Sequence, residues 1–336
     1  MQISVLRSAA LLTSLVVAGS VFAGITPAAA ETSSCVATEL PLPAGTPSDV
    51  FAGLSASDSS GRYQLGSLQD VQGNRTSLFW TDRGAPVVLA PFPGTNSPVD
   101  VNSKGTVAGV TQDADGKVQP WLYSRGVARK LAVPAHLNGV TLRAINDRGD
   151  VVGYGQDTVT GHTVPVVWPG GGKPQRLHAS GSAYAVDINE SGVVVGSTWT
   201  DDGETALVWK AWDAEPVTLT GEAGANVSPT KIRGNWIVGI QTLSDGSVIG
   251  ARWNLRATKG VSFPNILDSV NSSGDVAYQT VDGKTFVSRP DGTQYAIDAA
   301  GYNTVRYLYE RGQSVDAAGD RDYGWSRAVL WSGCAN

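Results

Sequence analysis

Seven short segments of this chain recur at nearly constant spacing, and that spacing restricts the fold more than any other feature. Each centres on a glycine: DSSGRY (Gly61), NSKGTVAG (Gly105), NDRGDVVG (Gly149), NESGVVVG (Gly192), IRGNWIVG (Gly234), NSSGDVAY (Gly274) and YERGQSVD (Gly312), at steps of 44, 44, 43, 42, 40 and 38 residues. An aromatic residue follows each glycine by 12 to 19 positions, placing Trp80, Trp121, Trp168, Trp209, Trp253, Phe286 and Trp331. After most of these come a turn and another short apolar stretch, as in APVVLAP and EPVTLTG. Each unit reads as four strands: one before the glycine turn, one after it, one ending at the aromatic, and one beyond.

A small four-stranded sheet cannot bury both of its faces alone. Packing such sheets around an axis covers each face with the next sheet. The sequence therefore predicts an all-β fold: a single seven-bladed β-propeller over residues 31–336, with four-stranded antiparallel blades. The last unit stops at Trp331-Ser-Gly-Cys334, while residues 36–43 look like a fourth strand without a blade. The N-terminal strand is thus expected to complete and close the last blade. The chain's two cysteines, Cys35 and Cys334, flank that seam and are expected to form a disulfide. In the chain-entropy model a loop this long gives about 5 kcal/mol.

Residues 1–30 have the layout of a secretory signal peptide: Arg7, an apolar run, then TPAAA before an expected cut after Ala30. No later segment approaches membrane-span length. The mature chain is expected outside the cell, as a monomer. A net charge of -5 with 40 glycines and 16% charged residues suits short strands and tight turns, and argues against a nucleic-acid partner.

The repeated Asn-x-x-Gly could suggest an ion or phosphate loop, but the residues between Asn and Gly vary: Ser-Lys, Asp-Arg, Glu-Ser and Ser-Ser. A calcium loop needs acidic oxygens at fixed positions, and a dinucleotide loop needs a following helix. A hairpin turn, with Asn capping its own backbone and Gly at positive φ, accounts for the pattern. The recurring (A/V)xxIN-x-x-G-x-VVG followed by an apolar-apolar-Trp segment resembles the HAF family of extracellular repeat proteins. The resemblance covers nearly the whole mature chain, although the His-Ala-Phe of the family's name reads Ser-Leu-Phe, Pro-Val-Val, Ala-Leu-Val and Ala-Val-Leu here. It implies secretion and a repeat fold, and it carries no activity, cofactor or site residue.

Catalytic signals are absent from the sequence. His136, His162 and His178 lack metal-ligand spacing, no Gly-x-Ser-x-Gly elbow exists, and no metal or cofactor is expected. Two segments hold more than turn residues: STWTDDGE, with Trp199, Asp201 and Asp202, and GDRDYGWS, with Asp320, Asp322, Tyr323 and Trp325. Both are placed in loops between the second and third strands of their blades. Neither Trp199 nor Trp325 fits the repeating aromatic position, whereas Trp212 and Trp236 read as structural. Flat rings beside carboxylates suit sugars, so these seven residues form the candidate ligand-binding set.

Three functions follow from different classes. The first is a secreted, non-catalytic binding propeller for a glycan, cell-wall component or protein. The second is a polysaccharide hydrolase or lyase using carboxylates on the loop face. The third is a purely structural repeat protein. Extra aromatics in polar loops favour the first.

Overall fold

The computed structural model describes residues 31–33, 36–47, 50–297, 302–311, 314–322 and 326–333. The expected signal segment 1–30, both cysteines, Tyr323 and Trp325 lie outside them.

Two strands lead the chain, β1 (Glu31–Ser33) and β2 (Val36–Glu39). The first blade is β3 (Phe51–Ser57), β4 (Tyr63–Gln69), β5 (Arg75–Thr81) and β6 (Val87–Val88); the second is β7 (Thr95–Val101), β8 (Val107–Gln112), β9 (Val118–Ser124) and β10 (Val127–Lys130). The third is β11 (Leu137–Ile145), β12 (Val151–Asp157), β13 (Thr163–Trp168) and β14 (Gln175–Arg176); the fourth is β15 (Ala183–Ile188), β16 (Val194–Thr200), β17 (Gly203–Trp209) and β18 (Val217–Thr218). The fifth is β19 (Asn226–Arg233), β20 (Trp236–Thr242), β21 (Val248–Asn254) and β22 (Val261–Phe263). Then come β23 (Leu267–Val270), β24 (Val276–Gln279), β25 (Thr285–Ser288) and β26 (Gln294–Ile297), followed by β27 (Tyr302–Arg311), β28 (Ser314–Asp322) and β29 (Ser326–Ser332).

The fold is a β-propeller, but the expectation of seven four-stranded antiparallel blades is overturned. Six blades have four antiparallel strands: the first five, and a closing blade in which β2 pairs with β29 in the order β2-β29-β28-β27. The remaining sheet is mixed. It has five strands, because β1 adds parallel to β26, with Glu31 opposite Tyr295. The N-terminal segment was expected to serve one sheet and instead divides between two. The outer edge of β26 offers unpaired backbone groups, and a parallel strand satisfies them without a hairpin.

The blade joints explain the recurring aromatics. Trp80, Trp121, Trp168, Trp209, Trp253 and Trp331 are all buried. Four of their indole N–H groups donate to a carbonyl two residues beyond the outer strand of the preceding blade: Trp168 to Ala132 at 2.7 Å, Trp209 to His178 at 2.6 Å, Trp253 to Thr220 at 2.8 Å and Trp80 to Pro41 at 2.7 Å. Pro41 follows β2, so the joint that closes the ring has the same construction as the interior ones. A buried indole usually finds such an acceptor, although the N–H groups of Trp121 and Trp331 have none among the described residues.

The turns behave as their composition requires. Gly149 takes φ 85° and its N–H donates to Asn146 O at 2.9 Å, while Asn146 Oδ1 accepts the N–H groups of Arg148 and Asp150. In the first blade Asp58 replaces the Asn. In the fifth, Arg233 stands in its place before a shortened Gly234-Asn235 turn.

Candidate functional site

The inner strands β3, β7, β11, β15, β19, β23 and β27 pack side by side in a closed ring. Each carries a register shift at the same place, as between Pro98 and Asp100, Ala185 and Asp187, and Pro229 and Lys231. Such a bulge leaves one residue unpaired and re-aims its neighbours. A recurring glycine on the second strand makes room for it. A Cβ on Gly153 would lie 2.1 Å from Thr141 O, on Gly196 2.0 Å from Tyr184 O, and on Gly239 2.2 Å from Ser228 O.

The residues just after the shift include Asp100, Asp187, Lys231 and Tyr307, which form one electrostatically linked group with Arg233. Arg233 Nη1 donates to Asp187 Oδ2 at 2.8 Å, and Asp187 also accepts the N–H of Ile232 from the fifth blade at 2.8 Å. Asp100 accepts the N–H of Ile145 from the third blade at 2.9 Å. Burial raises the Asp100 carboxyl to about 7 against the pull of Arg233, and raises Asp268 to about 6 against Lys231. Burial, helped by Arg233, lowers the Lys231 ammonium to about 8. The Arg233 guanidinium, despite its burial, is held above its ordinary value by Asp187 and Asp100. Among the described residues no group of three or more His, Cys, Asp and Glu side chains converges as a metal site would need.

The predicted ligand-binding residues lie elsewhere. Trp199 is on β16 rather than in a loop, opposite Glu204, and is 58% exposed. Among the described residues the other tryptophans are buried or half-buried. The orientation of Trp199 is fixed: the indole N–H donates to Tyr184 Oη at 3.3 Å, Tyr184 donates to Glu204 Oε1, and Ser228 of the fifth blade donates to Glu204 Oε2. Tyr154 of the third blade packs edge-on against Tyr184, with ring centroids 5.9 Å apart. Asp201 and Asp202 form the exposed turn beyond Trp199, closed by Gly203 at φ 111°.

Asp320 and Asp322, expected in a loop, are strand residues of β28, opposite Ala328 and Ser326. They belong to the closing blade. The fifth blade and the mixed sheet stand between it and the fourth, so the two predicted groups are not neighbours in the ring.

Sequence reasoning missed the axial group and the supporting Tyr184, Glu204 and Ser228. One signal for the former was available. In VDVN and VDIN a charged residue, Asp100 or Asp187, interrupts an apolar strand two places before the turn Asn, at the same offset in these two repeats.

No protein-family model and no curated protein matches the chain. Solved structures do. The β-propeller domain of the Trilobed protease from Pyrococcus furiosus superposes with a TM-score of 0.59 at 11% identity, over 84% of this chain and 95% of that one. A puromycin-hydrolysing peptidase from Mycobacterium tuberculosis matches with a TM-score of 0.58 at 14% identity, over 83% of this chain but only 50% of its own, so this chain spans about half of that peptidase. YCF48, in a structure with a bound D1 peptide, matches with a TM-score of 0.53 at 12% identity, over 90% and 95%. At these identities the likeness shows the β-propeller fold.

Proposed function

We propose that this chain is a non-catalytic binding propeller that works outside the cell and takes a glycan on the aromatic surface around Trp199. The observation that carries the reading is the state of that side chain. A large indole left 58% exposed forgoes burial that six other tryptophans of the chain obtain. Yet it is locked by a hydrogen-bonded train through Tyr184 and Glu204. A fixed, flat, exposed ring flanked by Tyr154, Tyr184 and acidic hydroxyl acceptors suits a sugar ring, whose C–H face stacks while its hydroxyls donate. The YCF48 structure with a bound peptide is a precedent for ligand binding by this architecture. The leader-like first thirty residues and the resemblance to HAF repeats support the extracellular placement.

Pull-down on insoluble cellulose, chitin, xylan and peptidoglycan tests this. Retention on at least one matrix, lost in Trp199→Ala and weakened in Tyr184→Phe at unchanged stability, is the expected result. Retention unaffected by Trp199→Ala, or none on any matrix or on a soluble glycan array, overturns it.

A second reading, a polysaccharide hydrolase or lyase, draws on one specific observation: Asp100 holds its proton to about 7 while Asp187 lies against Arg233. Separated carboxyl environments are what acid–base pairs use. Release of reducing ends by the parent, abolished in Asp100→Asn, would favour it over the binding role.

A further inference from the structure

The opposite end of the blades from Trp199 holds a concavity. Trp199 lies at the far end of β16, next to the turn into β17, whereas the Asn-x-x-Gly turns cap the other end of the same strands. On that turn face a cavity of about 170 Å³ opens between the first, fourth and fifth blades, the mixed sheet and the closing blade.

Two cations enter it from one strand. Lys231 and Arg233 are two apart on β19 and so share a face of it. Lys231 Nζ donates to the carbonyls of Asp268, at 3.0 Å, and of Arg306, and lies 4.4 Å from the centre of the Tyr307 ring. Arg233 uses Nη1 alone, for Asp187 and the carbonyl of Ile232; among the described residues its Nε and Nη2 groups have no protein acceptor. That edge of the guanidinium is the one shaped for two parallel bonds to a carboxylate.

The acids at this mouth are engaged elsewhere. Asp58 Oδ1 accepts Tyr63 N at 2.6 Å and its Oδ2 accepts Ser60 N at 2.9 Å, both within its own turn. Glu190 Oε2 turns to Asp147 N at 2.6 Å. Ser269 accepts the N–H of Leu308 at 3.1 Å through Oγ, which leaves its hydroxyl proton to donate.

We propose that this axial mouth is a carboxylate-binding site. The Nε and Nη2 edge of Arg233 takes the two oxygens, and Lys231 and Ser269 complete the shell. A space of about 170 Å³ admits a small acid or the acidic end of a chain rather than a polymer segment. The shared chemistry can come from a peptide terminus or from a sugar acid.

Calorimetric titration of the full chain at constant ionic strength tests the proposal. The probes are N-acetylglycine as a minimal peptide terminus, glucuronic acid as the sugar acid, and N-acetylglycinamide as the neutral control. At least one acid should bind and the amide should bind more than tenfold more weakly; which acid is tighter names the source. Arg233→Gln should lose more than a factor of ten. Should that variant fail to fold, Glu190→Gln, which removes a rim charge, should gain several-fold in affinity. No binding of either acid at millimolar concentrations, equal binding of acid and amide, or an indifferent response in a folded variant overturns the site. Trp199→Ala should bind these acids as the parent does, so this site and the glycan surface stand or fall separately.

Discussion

Asn146 Nδ2 donates to the carbonyl of Asn189 at 3.0 Å, from the third blade to the fourth. The same bond joins Asn102 to the carbonyl of Asn146 at 2.9 Å, and Asn189 to that of Gly234 at 2.6 Å. A side chain that caps its own turn thereby also ties that turn to the next one in the ring. The neighbouring position repeats the device: Asp147 Oδ1 accepts Ser103 N, and Glu190 accepts Asp147 N.

Asn146→Ala should therefore cost far more than an ordinary turn substitution. Asn146 is fully buried, and its amide also donates to Asp150 Oδ2. Removing it orphans buried donors and acceptors in two blades, an expected loss of about 2–4 kcal/mol. Asp113 is the control. It accepts Asp115 N and Lys117 N in an exposed turn, and Asp113→Ala should cost less than about 1 kcal/mol. Urea unfolding of the two variants checks the contrast.

Gly153→Ala tests the bulge. The new Cβ would stand 2.1 Å from Thr141 O, a backbone atom, so the inner strand must move. A loss of about 3 kcal/mol is expected from such overpacking. Gly161 has φ 74° and open space around it. Gly161→Ala should cost only the left-handed strain, about 1 kcal/mol. Equal costs would mean that the inner strand yields to the added Cβ at little cost, and that the close approach to Thr141 does not fix the repeated glycine.

Much of this architecture was legible because it repeats. Four turns share Asn and Gly three apart, the buried tryptophans recur at similar spacing, and each has a local physical reason. What eluded sequence reasoning is non-periodic or cooperative. Nothing in residues 31–39 says that they serve two sheets, since that depends on which edge lies free. The interblade role of Asn146 was hidden behind its sufficient local role as a turn cap. Trp199 was visible as a ring out of register, but the tyrosine and glutamate that hold it come from β15 and β17 and meet it only in three dimensions. Arg233 was legible only as a departure from the turn motif, because its meaning depends on carboxylates of other blades.

Two tryptophans ten residues apart should separate stability from binding. Trp209 is fully buried and bonded to His178 O at 2.6 Å; Trp209→Ala should lose about 3–5 kcal/mol. Trp199→Ala, at an exposed site, should change stability by no more than about 0.5 kcal/mol. Chemical denaturation of both proteins decides this. A large loss in Trp199→Ala would make that ring a packing element rather than a platform.

The axial carboxyl of Asp100 gives a pH signature with a definite sign. Its folded pKa is about 7 against a usual 3.8. Between those values the unfolded chain has released the proton and the folded chain has kept it, so stability falls as pH rises through this window and levels off above about 7. Asp268, at about 6, adds to the same limb. Lys231 acts in another window: with a folded pKa of about 8 against 10.5, stability climbs as pH rises between them. Asp100→Asn cannot titrate, yet keeps a carbonyl oxygen for the N–H of Ile145. Its unfolding free energy should fall less than the parent's between pH values of about 4 and about 7, and run parallel to it above. Unfolding curves at a series of pH values check this. Coincident profiles for parent and variant would show that Asp100 is ionised throughout, and would also remove the support it lends to an acid–base role.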